Sequence, residues 1–347
     1  MRSASRDPVP GPDPTARPGR PPATVSSMDA PPLALAVVHP GSKVLRSDAR
    51  RATIELDVRA AVRARTGAEL EWADGDRTSV EAALGAAVAR RAPIVVVVGG
   101  DGTIRLAAER LVGTGIPLAV IPAGTGNLFS GALGLPIGRA SAVRAIVEGG
   151  ERDVDAGSVA WSLREDGGGP VATTGVGTFV VACGSGFDAK VMAAAGDAAK
   201  RNVGRAAYFA AAASLVPGLT VNPHRIEVDG EVHEIPALAV LVVNAGELIP
   251  GLVAPRLRIA ATDGLLDVLV VRATGVVGGI VGALELLART SVGWSASGAS
   301  LRVRGRHVSV TSEPPEVIEV DGDVLGRGSF VADVLPGALR VVVPGAG

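Results

Sequence analysis

The sequence predicts an N-terminal α/β domain with a parallel sheet, followed by a mainly antiparallel β domain. Between Leu33 and Ile121, short β-branched runs alternate with helical stretches, the pattern of strands joined by crossover helices. After Arg152 strand-like segments follow one another, separated by Asp-Gly and glycine-rich turns, as antiparallel strands require. No internal repeat competes with this division.

Residues 1–32 are rich in Pro, Arg, Ser and Asp and hold almost nothing to bury, so they read as a disordered tail. The α/β domain is expected over 33–152. It opens with the apolar run Leu33–Val38 and a helix from Asp48 to Arg65, where Ile54, Val58 and Val62 mark one buried face. A strand at Glu69–Trp72 leads to a helix at Val80–Arg91. Ile94–Val98 is an unbroken β-branched run, expected of a strand covered on both sheet faces. Helix Ile104–Val112 and strand Leu118–Ile121 add another βαβ unit.

The β domain is expected over 153–347. Its strands are read at Val154–Trp161, Phe179–Cys183, Arg225–Val228, Ala237–Val243, Leu266–Val271, Leu301–Val303, His307–Val310, Val317–Val320 and Leu339–Val343. The last of these is a candidate to return to the first domain. Helices interrupt at Ala189–Val216 and Gly278–Thr290, and Glu165–Pro170 reads as an exposed hairpin loop.

Composition narrows the function. Aromatics are only 3% and the net charge is -1, which argues against a base-stacking platform or a general pull toward nucleic acid. The single cysteine, Cys183, rules out an internal disulfide and reads as a buried apolar residue. His39, His224, His233 and His307 lack metal-ligand spacing. The most apolar stretch, Val276–Leu287, contains Glu285 and falls short of the roughly 20 residues a span needs. With no secretory signal read at the N-terminus, a cytoplasmic protein that meets membrane only peripherally is expected.

The sharpest chemical signal is Gly99-Gly100-Asp101-Gly102-Thr103 at the C-terminal end of the best strand. Ligands of parallel α/β sheets bind at that edge, and a helix N-terminus there offers amides and a positive dipole end to phosphate. Asp101 would act through Mg²⁺ or a ribose hydroxyl. One strand later Pro122-Ala123-Gly124-Thr125-Gly126-Asn127 repeats the arrangement. Parallel neighbours make the two loops converge on one crevice. Neither is a Walker A loop, and lysine occurs only at Lys43, Lys190 and Lys200. Gly184-Ser185-Gly186-Phe187-Asp188-Ala189 approaches a dinucleotide fingerprint but lacks the strand–helix alternation around it.

Gly99–Thr103 followed by Pro122–Asn127 resembles the diacylglycerol kinase catalytic-domain family, which includes bacterial soluble lipid kinases and sphingosine kinases. The resemblance runs from about Leu33 onward. It implies an α/β nucleotide domain of the NAD kinase/diacylglycerol kinase type, a C-terminal β-sandwich, and a cleft between them. It further implies ATP with Mg²⁺ as donor and a lipid hydroxyl, met at a membrane surface, as acceptor. Gly99, Gly100, Asp101, Gly102, Thr103, Gly124, Thr125, Gly126 and Asn127 fall on its nucleotide-binding positions, with Ser42 a further candidate. Asp155 matches an aspartate that organises water around the nucleotide's Mg²⁺, and Asp188 lines the cleft.

Asp263-Gly264-Leu265-Leu266-Asp267 resembles a segment that in the family holds a structural Mg²⁺ through its first aspartate and a backbone carbonyl, here Asp263 and Leu265, although Ala260 stands where a further aspartate is common. For the general base there are two look-alike hairpins, Val228-Asp229-Gly230-Glu231 and Val320-Asp321-Gly322-Asp323. Family position favours Asp323, with Glu231 as fallback. The chain departs from the family at His39-Pro40, at Leu106 in place of a glutamate, and at Ser130-Gly131. The expected function is ATP-dependent phosphorylation of a lipid such as diacylglycerol or a sphingoid base. The competing readings are a non-catalytic nucleotide- or lipid-binding homologue and a soluble NAD kinase-like enzyme; the Pro122–Asn127 loop argues against the latter. The sequence leaves the oligomeric state open.

Overall fold

The helix that follows Ser47 shows how local chemistry sets the element boundaries. Ser47 takes an extended conformation and its hydroxyl accepts the Arg50 amide, while Gly67 closes the other end at φ 69°, as helix caps demand. The computed structural model describes residues 32–39, 47–124, 126–165, 169–186, 221–246, 259–272 and 300–345, all within the unit Pro32–Gly347. The expected tail over 1–32 falls almost wholly outside them, as do the expected helices Ala189–Val216 and Gly278–Thr290.

In chain order the first half contains β1 (Leu33–Val38), α1 (Asp48–Thr66), β2 (Glu69–Asp74), α2 (Arg77–Ala89), β3 (Val95–Gly99), α3 (Asp101–Leu111), β4 (Leu118–Pro122), α4 (Leu128–Ala132) and α5 (Arg139–Glu148). The strands lie parallel in the order β2-β1-β3-β4. β3 shows why β-branched residues suit its place. Val95 and Val97 pack on the α2 and α3 side, while Val96 and Val98 pack on the α1 and α5 side. Both faces of the sheet are therefore dry, and this half is a parallel α/β layer structure as expected.

The second half is mainly antiparallel. It contains β5 (Gly150–Arg164), β6 (Val171–Phe179), β7 (Ala182–Gly186), β8 (Asn222–Val228), β9 (Glu231–Ala237), β10 (Ala239–Val243), β11 (Leu266–Val271), β12 (Ser300–Gly305), β13 (His307–Ser312), β14 (Glu316–Val320) and β15 (Asp323–Val343). Its core gathers Val159, Phe179, Val240, Val268, Ile318 and Phe330 among others. β15 pairs with β14, β13 and β5, and then reaches β4, where Val341 pairs in parallel with Leu118. One sheet thus runs through both halves, and the expected boundary at 152/153 falls inside β5.

Several strand boundaries differ from expectation. Leu339–Val343 is only the end of the 21-residue β15. The expected strand Phe179–Cys183 is broken at Val180–Val181, and Ala237–Val243 is broken at Leu238. β6 was not expected, and its glycines, Gly175 and Gly177, weaken the strand pattern. They are strand glycines that make room for Trp161: a Cβ on Gly175 would lie 2.5 Å from its ring. Cys183 is buried, and burial pushes its thiol well above the usual range. Gly184 and Gly186 belong to β7, where Gly184 faces Leu241 across the ladder.

Candidate active site

β3 and β4 end in register, with Gly99 opposite Pro122 and the Ala123 amide donating to the Gly99 carbonyl at 2.8 Å. The two glycine loops therefore leave the sheet side by side. Their glycines serve first to let the two backbones touch. A Cβ on Gly124 would lie 2.5 Å from the Gly100 Cα, and one on Gly100 would lie 2.9 Å from the Gly124 Cα. Gly99 is closed over by Thr103, whose hydroxyl would be 2.7 Å from a Cβ there, and Thr103 is 7% exposed.

Asp101 joins the loops. Its two carboxylate oxygens accept the Leu128 and Phe129 amides, each at 3.1 Å, and so cap α4. Both oxygens are thereby turned to the second loop, a bond that sequence reasoning did not foresee. Gly126 leaves room for this carboxylate: a Cβ would sit 3.1 Å from Asp101 Oδ2. Asn127, in left-handed conformation at φ 50°, folds its side chain over Gly124. Its Oδ1 accepts the Gly124 amide at 3.0 Å and its Nδ2 donates to the Gly124 carbonyl at 3.1 Å. Thr125 and Ser42 lie outside the described residues.

Gly102 differs from its neighbours. It stands in the first turn of α3, its φ is not positive, and among the described residues a Cβ there would meet nothing within 4 Å. Among the described residues no side chain caps α3, whose Thr103 and Ile104 amides bond back to the Gly100 carbonyl. The Asp101 and Gly102 amides are the helix-start donors that the ladder cannot satisfy. Together these make an open, positively polarised cradle of the kind that takes phosphate.

Asp323 approaches the same helix from the second half. It is the first residue of β15, its side chain is 42% exposed, and its Oδ2 accepts Arg105 Nη2 of α3 at 2.5 Å. Glu231, the fallback, instead bonds His233 at 2.8 Å within the β8–β9 hairpin. Sequence reasoning missed Arg105, although a lone arginine among Ile104, Leu106, Ala107 and Ala108 was a readable signal. It also missed Asp321. That carboxylate accepts the Val180, Val181 and Ala182 amides at 2.8, 2.9 and 2.9 Å, and is what breaks the strand there. Burial pushes the Asp321 pKa up to about 6, against the pull of those amides and the Arg105 charge.

Asp155 is a buried tie. Its oxygens accept the Gly337 and Gly264 amides, both at 2.7 Å, and its carbonyl accepts Asn244 Nδ2 at 2.9 Å. These bonds hold the bulge of β15 against the turn after Ala261, and none of them runs to the glycine loops. At that turn Asp263 receives the Leu265 amide at 3.1 Å and a guanidinium nitrogen of Arg304. Arg304 also lies 3.7 Å from the buried Asp267. The expected structural Mg²⁺ does not fit this set, because a guanidinium already supplies the positive charge and Ala260 offers no carboxylate. Among the described residues no cluster of three or more metal-ligating side chains forms, and no helix is long and apolar enough to cross a membrane. The stretch Val276–Leu287 lies outside them.

With this geometry in place, the likeness to known proteins is consistent along the chain. Residues 45–159 match the diacylglycerol kinase catalytic domain, which implies ATP use, and residues 181–343 match the YegS C-terminal NAD kinase beta sandwich-like domain. A Pseudomonas aeruginosa protein described as "Probable lipid kinase YegS-like" is 33% identical over 300 residues, 83% of this chain and 90% of that one. A Mycobacterium tuberculosis diacylglycerol kinase is 32% identical over 210 residues, 57% of this chain and 61% of that one. An uncharacterised Synechocystis protein is 30% identical over 251 residues, and the alignment spans 72% of this chain but only 54% of that protein. The crystal structure of a diacylglycerol kinase from Bacillus anthracis superposes with a TM-score of 0.63 over 89% of this chain and 96% of that one, at 21% identity, which speaks for the fold. The chain belongs to the YegS-like lipid kinases of the diacylglycerol kinase family.

Proposed function

We propose that the protein transfers the γ-phosphoryl group of MgATP to a hydroxyl of a lipid such as diacylglycerol or a sphingoid base. The observation that carries this reading is Gly102. Neither backbone conformation nor packing among the described residues calls for a glycine there, and alanine would suit the first turn of a helix better. A ligand that needs the space accounts for it. The Asp101 and Gly102 amides then meet phosphate oxygens, with the α3 dipole offsetting their charge. The acceptor hydroxyl oxygen bonds to the γ-phosphorus as the β–γ bridging bond breaks. ADP leaves and the hydroxyl proton passes to the Asp323 carboxylate. Asp101, Asn127 and Asp155 contribute by holding the loops and the β15 bulge in place.

Incubating the purified protein with labelled ATP and a total lipid extract, followed by mass spectrometry of the product, tests the reaction. A phosphorylated lipid is expected. Labelled NADP from NAD, with no labelled lipid, would favour a soluble dinucleotide kinase. Gly102→Ala tests the site. It should hold or raise stability by up to about 1 kcal/mol while weakening ATP about tenfold or more, whereas Gly100→Ala should destabilise through its clash with Gly124. An unchanged ATP affinity in Gly102→Ala would remove the main support.

A further inference from the structure

Arg105 is the residue that connects the two halves at the site. It lies in α3, three positions beyond Gly102 and so about 4.5 Å along the helix axis. Its side chain is 9% exposed. One arm donates to Glu109 Oε1 and the other to Asp323 Oδ2, both at 2.5 Å. Glu109 sits beneath β6, where a Cβ on Gly177 would come 3.8 Å from its Oε1. The Arg105 Nε is buried and has no acceptor among the described residues. Arg77, from α2, adds a second positive charge close enough to feel both Glu109 and Asp323.

As a fold device this is a costly arrangement, because a buried guanidinium with an unmet donor is seldom better than an apolar side chain. As a site device it has a clear use. The backbone of Asp323 is set by its hairpin, but a half-exposed carboxylate can still turn among rotamers. Arg105 is fixed by burial and by Glu109, and it stands on the helix whose first amides face the phosphate cradle. We infer that Arg105 is a positioning residue for the phosphoryl transfer, locking the Asp323 carboxylate in register with the phosphate held at the α3 N-terminus. This rests on the lipid kinase reading above and adds to it how the base is aimed. Misplacement of a reacting group by about 1 Å costs on the order of 100-fold in rate, so the contact has room to matter.

The test uses the full chain with MgATP and the lipid acceptor found in the extract assay. Arg105→Met should lower kcat by about 30- to 100-fold while changing the KM for ATP less than about threefold. Arg105→Lys, which keeps a cation but loses the fork, should recover part of the loss. In an Asp323→Asn background, Arg105→Met should cost less than about threefold more, because the two residues act as one unit. A merely structural arginine would lower kcat by the same factor in both backgrounds, and that additivity overturns the inference. So does an Arg105→Met protein with undiminished kcat. If Arg105→Met fails to fold, the same cycle run with Arg105→Lys decides the matter. If the wild type phosphorylates no lipid, the kinase reading fails first and this inference with it; if only the coupling is missing, the kinase reading stands.

Discussion

In both Asp-Gly hairpins the aspartate takes a positive φ, 50° at Asp229 and 46° at Asp321, and the glycine follows at 89° and 83°. The likeness extends past the turn. Asp229 donates its amide to the His307 carbonyl and accepts the Arg306 and His307 amides at the joint between β12 and β13. Asp321 donates to the Ala182 carbonyl and accepts three amides at the joint between β6 and β7. The difference lies in the surroundings. Asp229 is exposed, and Glu231 after it bonds His233 of its own hairpin. Asp321 is half-buried, and Asp323 after it meets α3. Identical local chemistry becomes a sheet joint in one place and part of a candidate site in the other, because the second hairpin lies against α3.

The largest expected contrast is in stability. Asp321→Ala leaves the Val180, Val181 and Ala182 amides, two of them on buried residues, without their acceptor and should cost about 3–5 kcal/mol, whereas Asp229→Ala, beside solvent, should cost about 1 kcal/mol. Urea unfolding of both variants measures this, and equal losses would break the comparison. Next comes turnover. Asp323→Asn should reduce lipid phosphorylation by about 100-fold or more, while Glu231→Gln should stay within about twofold of wild type. The reverse order would move the base to the other hairpin.

The pH dependence is a smaller effect. The Asp321 pKa is pushed up to about 6 by burial, so between the ordinary carboxylate range and pH 6 the folded state binds more protons than the unfolded one. Stability from this group is therefore full at low pH and declines as pH rises through that window. The melting temperature of wild type relative to Asp321→Asn should fall over that range, and a rising difference would show that the three amides outweigh burial. The smallest effect should be common to both turns. Gly230→Ala and Gly322→Ala each force a positive φ on a side chain and should each cost about 1 kcal/mol, which thermal melts would register as similar shifts.

The parallel half was legible because its signals are local. Val95–Val98 cannot avoid a doubly covered strand, and the glycine loops announce themselves at strand ends. The hairpins were legible as turns for the same reason. What their aspartates do was not, since the amides of Val180–Ala182 and the guanidinium of Arg105 lie far away in sequence. Asp101, Asn127 and Asp155 illustrate the same limit from the other side. A motif shows which residues gather at a site, but their hydrogen bonds show them bracing the loops around it. β6 and α5 escaped notice through weak local patterning: glycines thin the strand, and only Ala142 and Ile146 are buried along α5.

The path of β15 also bears on how the chain is made. Translation delivers β1 through β4 early, yet the strand that covers β4's outer side ends at Val343. In the interval β4, Leu118–Pro122, presents an apolar edge with unpaired backbone groups, the kind of edge that recruits a neighbouring chain. The edge at Leu118 of the nascent α/β half therefore stays open until Val341 has left the ribosome.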